Sequence, residues 1–535
     1  MICDDQYLRK KLKRTWTTFF SRYGKLLPIQ LKTIPVVLDV KNAIVVSSTA
    51  SGKTEAVVAP LIERLLINEN WDSLSILYIS PTRALVNDMY YRLKEQLDDL
   101  NISLSLKTGD KPQFNPDNSP NFLITTPESL DSLICRYPST FENVKAVVLD
   151  EIHLLDNTYR GDQLKILLKR LEYIAETDFS IYVLSATIAD PEDVGSRYLK
   201  DFEVIATHDK REIEYTLVRS LKEVFNYVRK EKLKKLLIFC NKRVNVENIA
   251  KECKRLWGNH TVVVHHGSLS KQIREEAERF MKETQYGVCI ATMTLEIGID
   301  IGDIDAVVLA EVPWSVSSLL QRIGRGNRRT QKCRVFAIFN SEEERSMFEQ
   351  MFRIAIEGYV EPVEYSQDLS VVVQQIFSSL YANPNGLESG YFIELFEGFC
   401  SECDLRDILS HLSEKEWIEK RHNKWYATAK LMDWGEKGKI HSNIPSTKTL
   451  KVVDADSKRI IGEVQYPVDD IFVLAGRVWK VVRVSSDKIY VKSEKAKAST
   501  AKFKSHPAKG YFYYFLPKNI RDKMESVNEC CNQFA

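Results

Sequence analysis

Short apolar runs alternate with longer segments of helical periodicity over the first two thirds of the chain. Residues 43–46, 144–149, 181–184 and 236–240 are compact runs of the kind that form strands buried on both faces, whereas 55–66 carries apolar residues at helical spacing. The alternation occurs twice, which predicts two α/β units, each with a parallel sheet. After residue 350 the pattern changes. Leu405, Ile408, Leu409 and Leu412 share one face of a helix, and 416–427 reads as two short strands around His422 and Asn423, the order of a winged helix. Beyond residue 447, segments such as 471–473 and 478–484 predict a small β domain with Trp479 in its core.

The loop S-S-T-A-S-G-K-T, from Ser47 to Thr54, joins a predicted strand to a predicted helix. Successive backbone N–H groups in such a loop, with the positive end of the following helix, form a cradle for triphosphate oxygens. Thr49, Ala50, Ser51 and Gly52 are expected to line it, Lys53 to reach the β and γ phosphates, and Thr54 to hold Mg2+. Ala50 stands where many such loops have glycine; its Cβ narrows the backbone choices but leaves its N–H available. D-E-I-H begins at Asp150, after the run 144–149, at a strand's C-terminal end where ligands bind in open sheets. There Asp150 is expected to hold Mg2+ through water and Glu151 to polarise the attacking water. ATP and Mg2+ are the expected cofactors.

The order continues with S-A-T at Ser185–Thr187, N-K-R at Asn241–Arg243, H-H-G-S-L-S from His265, A-T-M-T-L-E-I-G-I-D from Ala291 and Q-R-I-G-R-G-N-R-R from Gln321. This set resembles the superfamily 2 helicases. The strings G-K-T-E-A, Y-I-S-P-T-R-A-L-V-N-D, I-T-T-P-E-S-L, D-E-I-H-L-L, L-S-A-T-I and Q-R-I-G-R-G are similar to those of the large helicase-related (Lhr) family within it.

The resemblance implies two tandem RecA-like P-loop NTPase lobes (1–207 and 208–350), a winged-helix domain (351–445) and a small basic β-rich domain (446–535). It implies that Arg325 and Arg328 are arginine fingers with Gln321 beside them, that Gly298 and Asp300 face the nucleotide, and that Gln30 touches the adenine. Cations supplied across a lobe interface make hydrolysis depend on closure. His153, Ser185 and Thr187 would couple ATP state to that closure. Pro81, Thr82, Arg83, Thr126, Pro127, Ser129, Asn241, Lys242, Arg243, His266, Gly267 and Thr292 would line a track for one strand, gripped through its backbone. For Thr126 and Ser129, helix capping is the alternative, and capping and phosphate contact are compatible. An iron-sulfur subclass needs four cysteines between the P-loop and D-E-I-H, and only Cys135 lies there.

The reading is thus an ATP-dependent helicase or translocase, moving 3′ to 5′ on single-stranded DNA or a tailed duplex, in DNA repair or genome defence. RNA or an RNA–DNA hybrid is the alternative substrate, because backbone grips tell sugars apart only through a few 2′-OH contacts. A second class is an ATP-gated clamp or sensor acting beside a nuclease or other defence or repair subunits. Relatives often carry a further C-terminal extension, whose role is expected to be absent here or supplied by another protein.

Composition adds three points. The net charge of +2 conceals an excess of 17 Lys and Arg over 10 Asp and Glu from residue 446 on, so the basic surface is expected at the C-terminal end. Aromatics at 511–515 follow a lysine-rich stretch, a pairing that suits single strands or else a buried aromatic strand beside a solvated lysine face. No apolar run reaches the roughly 18 residues that span a bilayer, and the N-terminus lacks a signal-peptide core, so a cytoplasmic, reduced protein with no membrane partner is expected. Cys400 and Cys403 form one C-x-x-C without partner ligands, which favours a helix-borne pair over zinc.

Overall fold

The structure, a computed structural model, describes residues 4–48, 51–67, 73–186, 188–207, 212–296, 301–326, 332–360, 364–445, 449–465, 467–485, 487–494, 499–501 and 509–532. Thr49, Ala50, Thr187, Gly298, Asp300 and Arg328 lie outside the described residues.

The first lobe holds β1 (Asn42–Val46), β2 (Ile76–Ile79), β3 (Leu104–Lys107), β4 (Phe122–Thr125), β5 (Ala146–Leu149), β6 (Ser180–Ser185) and β7 (Phe202–Ala206). They form one sheet in the order β3-β4-β2-β5-β6-β1-β7, every pair parallel. Helices cover both faces, giving one core around Val45, Val58 and Tyr78 and another around Leu149, Leu164 and Val183. Double coverage is why β2, β4 and β5 are apolar or buried at every position. Register places Val46 beside Ser185 and Leu149 beside Val183, so the loops after β1, β5 and β6 open at one edge.

The second lobe repeats the plan with β8 (Glu212–Val218), β9 (Lys235–Phe239), β10 (Val262–His265), β11 (Gly287–Ala291), β12 (Ala306–Leu309) and β13 (Lys332–Ile338). Its order is β10-β11-β9-β12-β13-β8, again parallel throughout. Two doubly wound lobes are what the sequence alternation predicts.

A winged-helix unit follows, in which the helices Ser370–Ala382, Glu402–Glu414 and Ala429–Glu436 pack with β14 (Leu387–Glu388), β15 (Ile418–Arg421) and β16 (Lys424–Ala427). The chain then forms a curled sheet of β17 (Thr449–Asp454), β18 (Ile460–Gln465), β19 (Ile471–Leu474), β20 (Arg477–Val484), β21 (Lys488–Ser493) and β22 (Ser499–Thr500), ordered β18-β17-β21-β20-β19-β22. This sheet shares one hydrophobic core with the second lobe: Val452, Ile461, Phe472 and Trp479 join Val246, Ala250 and Val264. Backbone bonds stitch the two together, Ser270 N–H donating to Ile461 O at 2.8 Å and Glu463 N–H to Ser268 O at 2.7 Å. Gly462 permits the approach, since a Cβ there would lie 2.4 Å from the Ser268 carbonyl oxygen.

Two expectations need correction. The aromatics at 511–515 form neither a strand nor a stacking platform; they make a 3-10 turn, Tyr511–Phe515, in which Phe512 is buried against Phe377 of the winged-helix unit and Phe515 packs on Trp417. The helix Ser370–Ala382 is buried from Ser370 to Leu380 and needs cover on every side, and Asn443 holds the returning chain by accepting from Phe512 N–H at 2.9 Å. Cys400 and Cys403 are not both on a helix: Cys400 is half-buried just before Glu402–Glu414, and Cys403 is exposed in its first turn. Among the described residues no helix is long and apolar enough to cross a membrane.

A candidate nucleotide site and nucleic-acid track

The helix Lys53–Ile67 begins at Lys53, so Lys53 and Thr54 occupy its first turn directly beyond β1. The buried Lys53 ammonium donates to the carbonyls of Ser47 and Ser48 at 2.5 and 2.9 Å. Gly52 turns the loop with φ +81°, a conformation that L side chains rarely adopt, and a Cβ there would lie 2.3 Å from Gln30 Nε2. Gln30, at the start of the helix Pro28–Leu38, donates from Nε2 to Gly52 O at 3.3 Å and accepts from Leu27 N–H at 2.9 Å. Ser51 Oγ is buried without a hydrogen-bond partner among the described residues, a group suited to a phosphate oxygen.

Asp150 directly follows β5, buried, and one of its oxygens accepts from Glu151 N–H at 3.0 Å. Burial, and then the Glu151 carboxylate beside it, hold the Asp150 pKa well above the ordinary carboxylate range. Tyr78, at full burial in β2, sets its phenol beside both the Asp150 carboxylate and the Thr54 hydroxyl, and burial and Asp150 raise its own pKa in turn. Sequence reasoning missed it, because I-L-Y-I reads as core alone. Glu151 takes the left-handed conformation at φ +43°, a strained choice for a residue with a side chain. That strain starts the turn Ile152–Leu154 and brings His153 Nδ1 to 2.9 Å from Ser185 Oγ and 3.5 Å from Glu151 Oε2. Two of the three residues expected to couple are therefore in contact.

From the second lobe, Arg325 is almost wholly buried and donates to Glu296 O at 2.8 Å. Burial depresses the His153 pKa, opposed by Glu151 and helped by the charges of Lys53 and Arg325, so the Arg325 guanidinium stands within electrostatic reach of the first lobe's D-E-I-H turn. Gln321 is buried on the helix Val316–Ile323 that leads to Arg325. On the same helix Arg322 donates from Nε to Glu296 Oε1 at 2.6 Å and so fixes the segment.

The residues expected on the track sit where strands give way to helices. Thr82 caps Arg83–Asp99 by accepting from Leu85 N–H at 3.3 Å, while Arg83 pairs with Asp110 and Pro81 precedes them beyond β2. Thr126 caps Pro127–Arg136, accepting from Ser129 N–H at 3.4 Å with Pro127 in the first helical position. The capping reading of Thr126 and Ser129 is thus met, with both residues buried at the helix N-terminus. Lys107, unremarked in the sequence, donates to Ser129 O at 3.4 Å; burial, then Arg136, lower its pKa to about 8.

In the second lobe Asn241 is held by Glu311, which accepts from its N–H at 2.5 Å, and by Val312 O, which accepts from its Nδ2 at 2.8 Å. Lys242 precedes the helix Arg243–Trp257, and Arg243 Nη1 donates to Ser268 Oγ at 2.9 Å. Ser268 N–H donates to His266 Nδ1 at 3.3 Å, which assigns the imidazole proton to Nε2, and Nε2 donates to Glu247 at 3.0 Å. Glu247, at 0% exposure, also accepts from the N–H groups of Ala475 and Gly476 at 2.7 and 2.6 Å, at the turn between β19 and β20. A Cβ at Gly267 would stand in ordinary contact with Arg243 Nη2 at 3.6 Å and Thr294 Cγ2 at 3.9 Å, and Thr292 N–H donates to His265 O at 3.3 Å.

Among the described residues one group has metal-like spacing, Asp131, Cys135 and His441, all buried. Arg170 donates to Asp131 at 2.9 Å and lies 3.6 Å from Cys135 Sγ, and Ser378 Oγ donates to Asp131 at 2.7 Å. His441 Nδ1 is 2.6 Å from the second Asp131 oxygen. With a guanidinium already against the anionic atoms, the group acts as a salt-bridged joint between the first lobe and the winged-helix unit rather than a cation site.

Two family descriptions match the chain: DEAD/DEAH box helicase over residues 27–194 and helicase conserved C-terminal domain over 217–330. The ATP-dependent helicase Lhr-Core of Methanocaldococcus jannaschii is 31% identical over 91% of this chain and 64% of its own length; that of Sulfolobus acidocaldarius is 29% identical over 90% and 62%. The chain thus spans a little under two thirds of the length of these relatives. Among solved structures, the Mycobacterium smegmatis helicase Lhr bound to ssDNA and AMP-PNP superposes with a TM-score of 0.71 at 22% identity, covering 81% of this chain and 62% of that one. Fold, motif order and relatives agree that the chain belongs to the superfamily 2 DEAD/DEAH-box helicases and resembles their Lhr type.

Proposed function

We propose that the chain is an ATP-dependent DNA helicase or translocase that hydrolyses ATP between its two RecA-like lobes and moves 3′ to 5′ along a single strand. The observation that carries this reading is the gathering of Lys53, Asp150, Glu151 and His153 at one edge of the first lobe's sheet, with the charge of the second lobe's Arg325 felt at His153. Gly52 and the orphan Ser51 hydroxyl fit a phosphate cradle, with Gln30 braced behind it in a position to meet the base.

In this reading Lys53 leaves the Ser47 and Ser48 carbonyls for the β and γ phosphates, and Glu151 orients the attacking water. Thr54 and, through water, Asp150 would hold Mg2+, which supplies charge neutralisation at the phosphates when bound. Arg325 adds positive charge from the second lobe only when the lobes are closed, so turnover follows closure. The contact of His153 with Ser185 carries that closure to the edge of β6. The helix N-termini at Thr82 and Thr126 and the Arg243–Ser268 pair grip phosphates alternately as the lobes move. DNA as the strand is favoured by the ssDNA-bound Lhr structure that the fold matches, and a role in repair or genome defence follows from such an activity.

The reading is tested by strand displacement with the full chain on duplexes carrying a 3′ or a 5′ single-stranded tail, as DNA and as RNA. Displacement of the 3′-tailed DNA duplex alone, dependent on ATP, is expected. ATP hydrolysis without strand separation on any duplex would contradict a helicase and favour a clamp.

A further inference from the structure

The curled C-terminal sheet turns one face to the second lobe, through Val452, Trp479, Ile489 and Val491, and the alternation of strand residues sends their neighbours to the opposite face. On that outer face lysines stand directly opposite lysines: Lys480 is paired with Lys492 across β20 and β21, and Lys451 with Lys488 across β17 and β21. Like charges in directly opposed positions destabilise a sheet. Lys492 is relieved by Asp456 at 3.0 Å, but Lys451, Lys458, Lys480, Arg483 and Lys488 make no ion pair among the described residues. Glu463, which accepts from the Thr449 hydroxyl, stands opposite Lys451 across β17 and β18, and Asp454, which accepts from the Ser457 hydroxyl and the Asp456 N–H, lines the adjoining groove, so the acids on this face are present but fewer than its cations.

Beside Lys488 lies a groove of about 520 Å3, lined also by Val453, Asp454, Ile460, Val482, Arg483 and Tyr490. Val482 and Ile460 are 56% and 42% exposed, so the floor is apolar and open. Arg483 lies over the Tyr490 ring, 5.9 Å from its centroid. A partner for this surface must carry closely spaced negative charges, to offset cations that repel one another, and flat apolar faces, to cover Tyr490 and Val482. A single-stranded nucleic acid has both; an acidic peptide has the charge without the flat faces.

We propose that the outer face of the C-terminal sheet, centred on Tyr490 and the Lys480–Lys492 and Lys451–Lys488 pairs, is a second binding surface for single-stranded nucleic acid, apart from the interlobe track. The inner face shares its core with the second lobe, so a strand held here travels with that lobe and enters or leaves the track under its control.

The test uses the full chain without ATP, so that it is separable from the motor reading: a failure of hydrolysis would leave it intact. Fluorescein-labelled oligothymidylates of about 10 and about 30 nucleotides, one able to fill the track alone and one able to reach beyond it, are titrated at several salt concentrations. The variants are the triple Lys451→Gln, Lys480→Gln, Lys488→Gln and, separately, Tyr490→Ala. The triple variant is expected to bind the long strand about tenfold more weakly and to lose about two from the salt slope, at ~0.7 per phosphate contact, with short-strand affinity kept. Tyr490→Ala should weaken the long strand about fivefold with the salt slope kept, as loss of a stacking surface does. Unchanged long-strand binding in both variants would overturn the proposal. So would equal losses on both strand lengths, which assign the effect to the track, or a face that binds polyglutamate more tightly than thymidylate, which assigns it to an acidic protein.

Discussion

Glu247 accepts the Nε2 proton of His266 at 3.0 Å inside the second lobe, and the same carboxylate accepts two backbone N–H groups from the turn at Ala475 and Gly476 of the C-terminal sheet. The loop that carries His266 and Gly267 is therefore set in place partly by a segment some two hundred residues further along the chain, and Ser268 passes the setting on to Arg243. Hydrogen bonds to a buried charge contribute ~1.5–3 kcal/mol each. Glu247→Gln keeps the shape but sets an amide donor against groups that also donate. It is expected to raise the concentration of strand needed for half-maximal ATPase stimulation about tenfold, or ~1.4 kcal/mol. Half-maximal stimulation at the wild-type concentration would show that the turn does not position the loop.

Gly52 is expected to be irreplaceable even by alanine. Both the positive φ and the 2.3 Å approach of a Cβ to Gln30 Nε2 oppose it, and strained backbone of this kind costs about 1–3 kcal/mol. Gly52→Ala should weaken nucleotide binding at least tenfold in a fluorescent-nucleotide titration. Adding Gln30→Ala removes the clash but neither the strain nor the need for Gln30's own contact to the base, so at most part of the loss, measured against Gln30→Ala alone, should return. Full recovery would mean that the clash alone mattered.

The joint at Asp131 and His441 predicts a pH-dependent stability. The Asp131 carboxylate beside His441 raises the imidazole pKa to about 9 against its burial, from an ordinary value near 6.5. A pKa raised on folding contributes stability that is fully present below pH ~6.5 and is lost as pH rises through about 9. For a side chain this buried the loss is on the order of 3 kcal/mol. Urea unfolding should accordingly show a decline from pH 6.5 to 9.5 that is absent in His441→Gln. A flat wild-type profile would contradict the ion pair.

Much of this architecture is legible in the sequence, and what is not has a physical reason. The strand before Ser47, the strand before Asp150 and the hairpin at His422 announce themselves because local periodicity and turn chemistry suffice. Glu247 does not, because a lone acid on the face of Arg243–Trp257 that also carries Val246, Ala250 and Cys253 has no local sign of burial. Asp131 and His441 meet across 310 positions, and no spacing rule reaches that far. Tyr78 is indistinguishable from a core tyrosine until the sheet brings Asp150 beside it. The aromatics at 511–515 were open to two readings; the burial that one of them expects is met at Phe512 and Tyr513, but in a 3-10 turn rather than a strand, because the nearest apolar surface belongs to a different unit from the strands that precede them.

Glu151 combines a strained backbone with a carboxylate 3.5 Å from His153 Nδ1, and in the proposed reading it is the group that orients the attacking water. The most direct test of the motor is steady-state ATP hydrolysis with no nucleic acid, single-stranded DNA, single-stranded RNA and duplex DNA, alongside Glu151→Gln. Stimulation by single-stranded DNA of tenfold or more, reduced at least a hundredfold in turnover by Glu151→Gln while ATP binding is kept, is the expected result. Hydrolysis that no strand stimulates, or that survives Glu151→Gln, would contradict an ATP-driven motor built on this site.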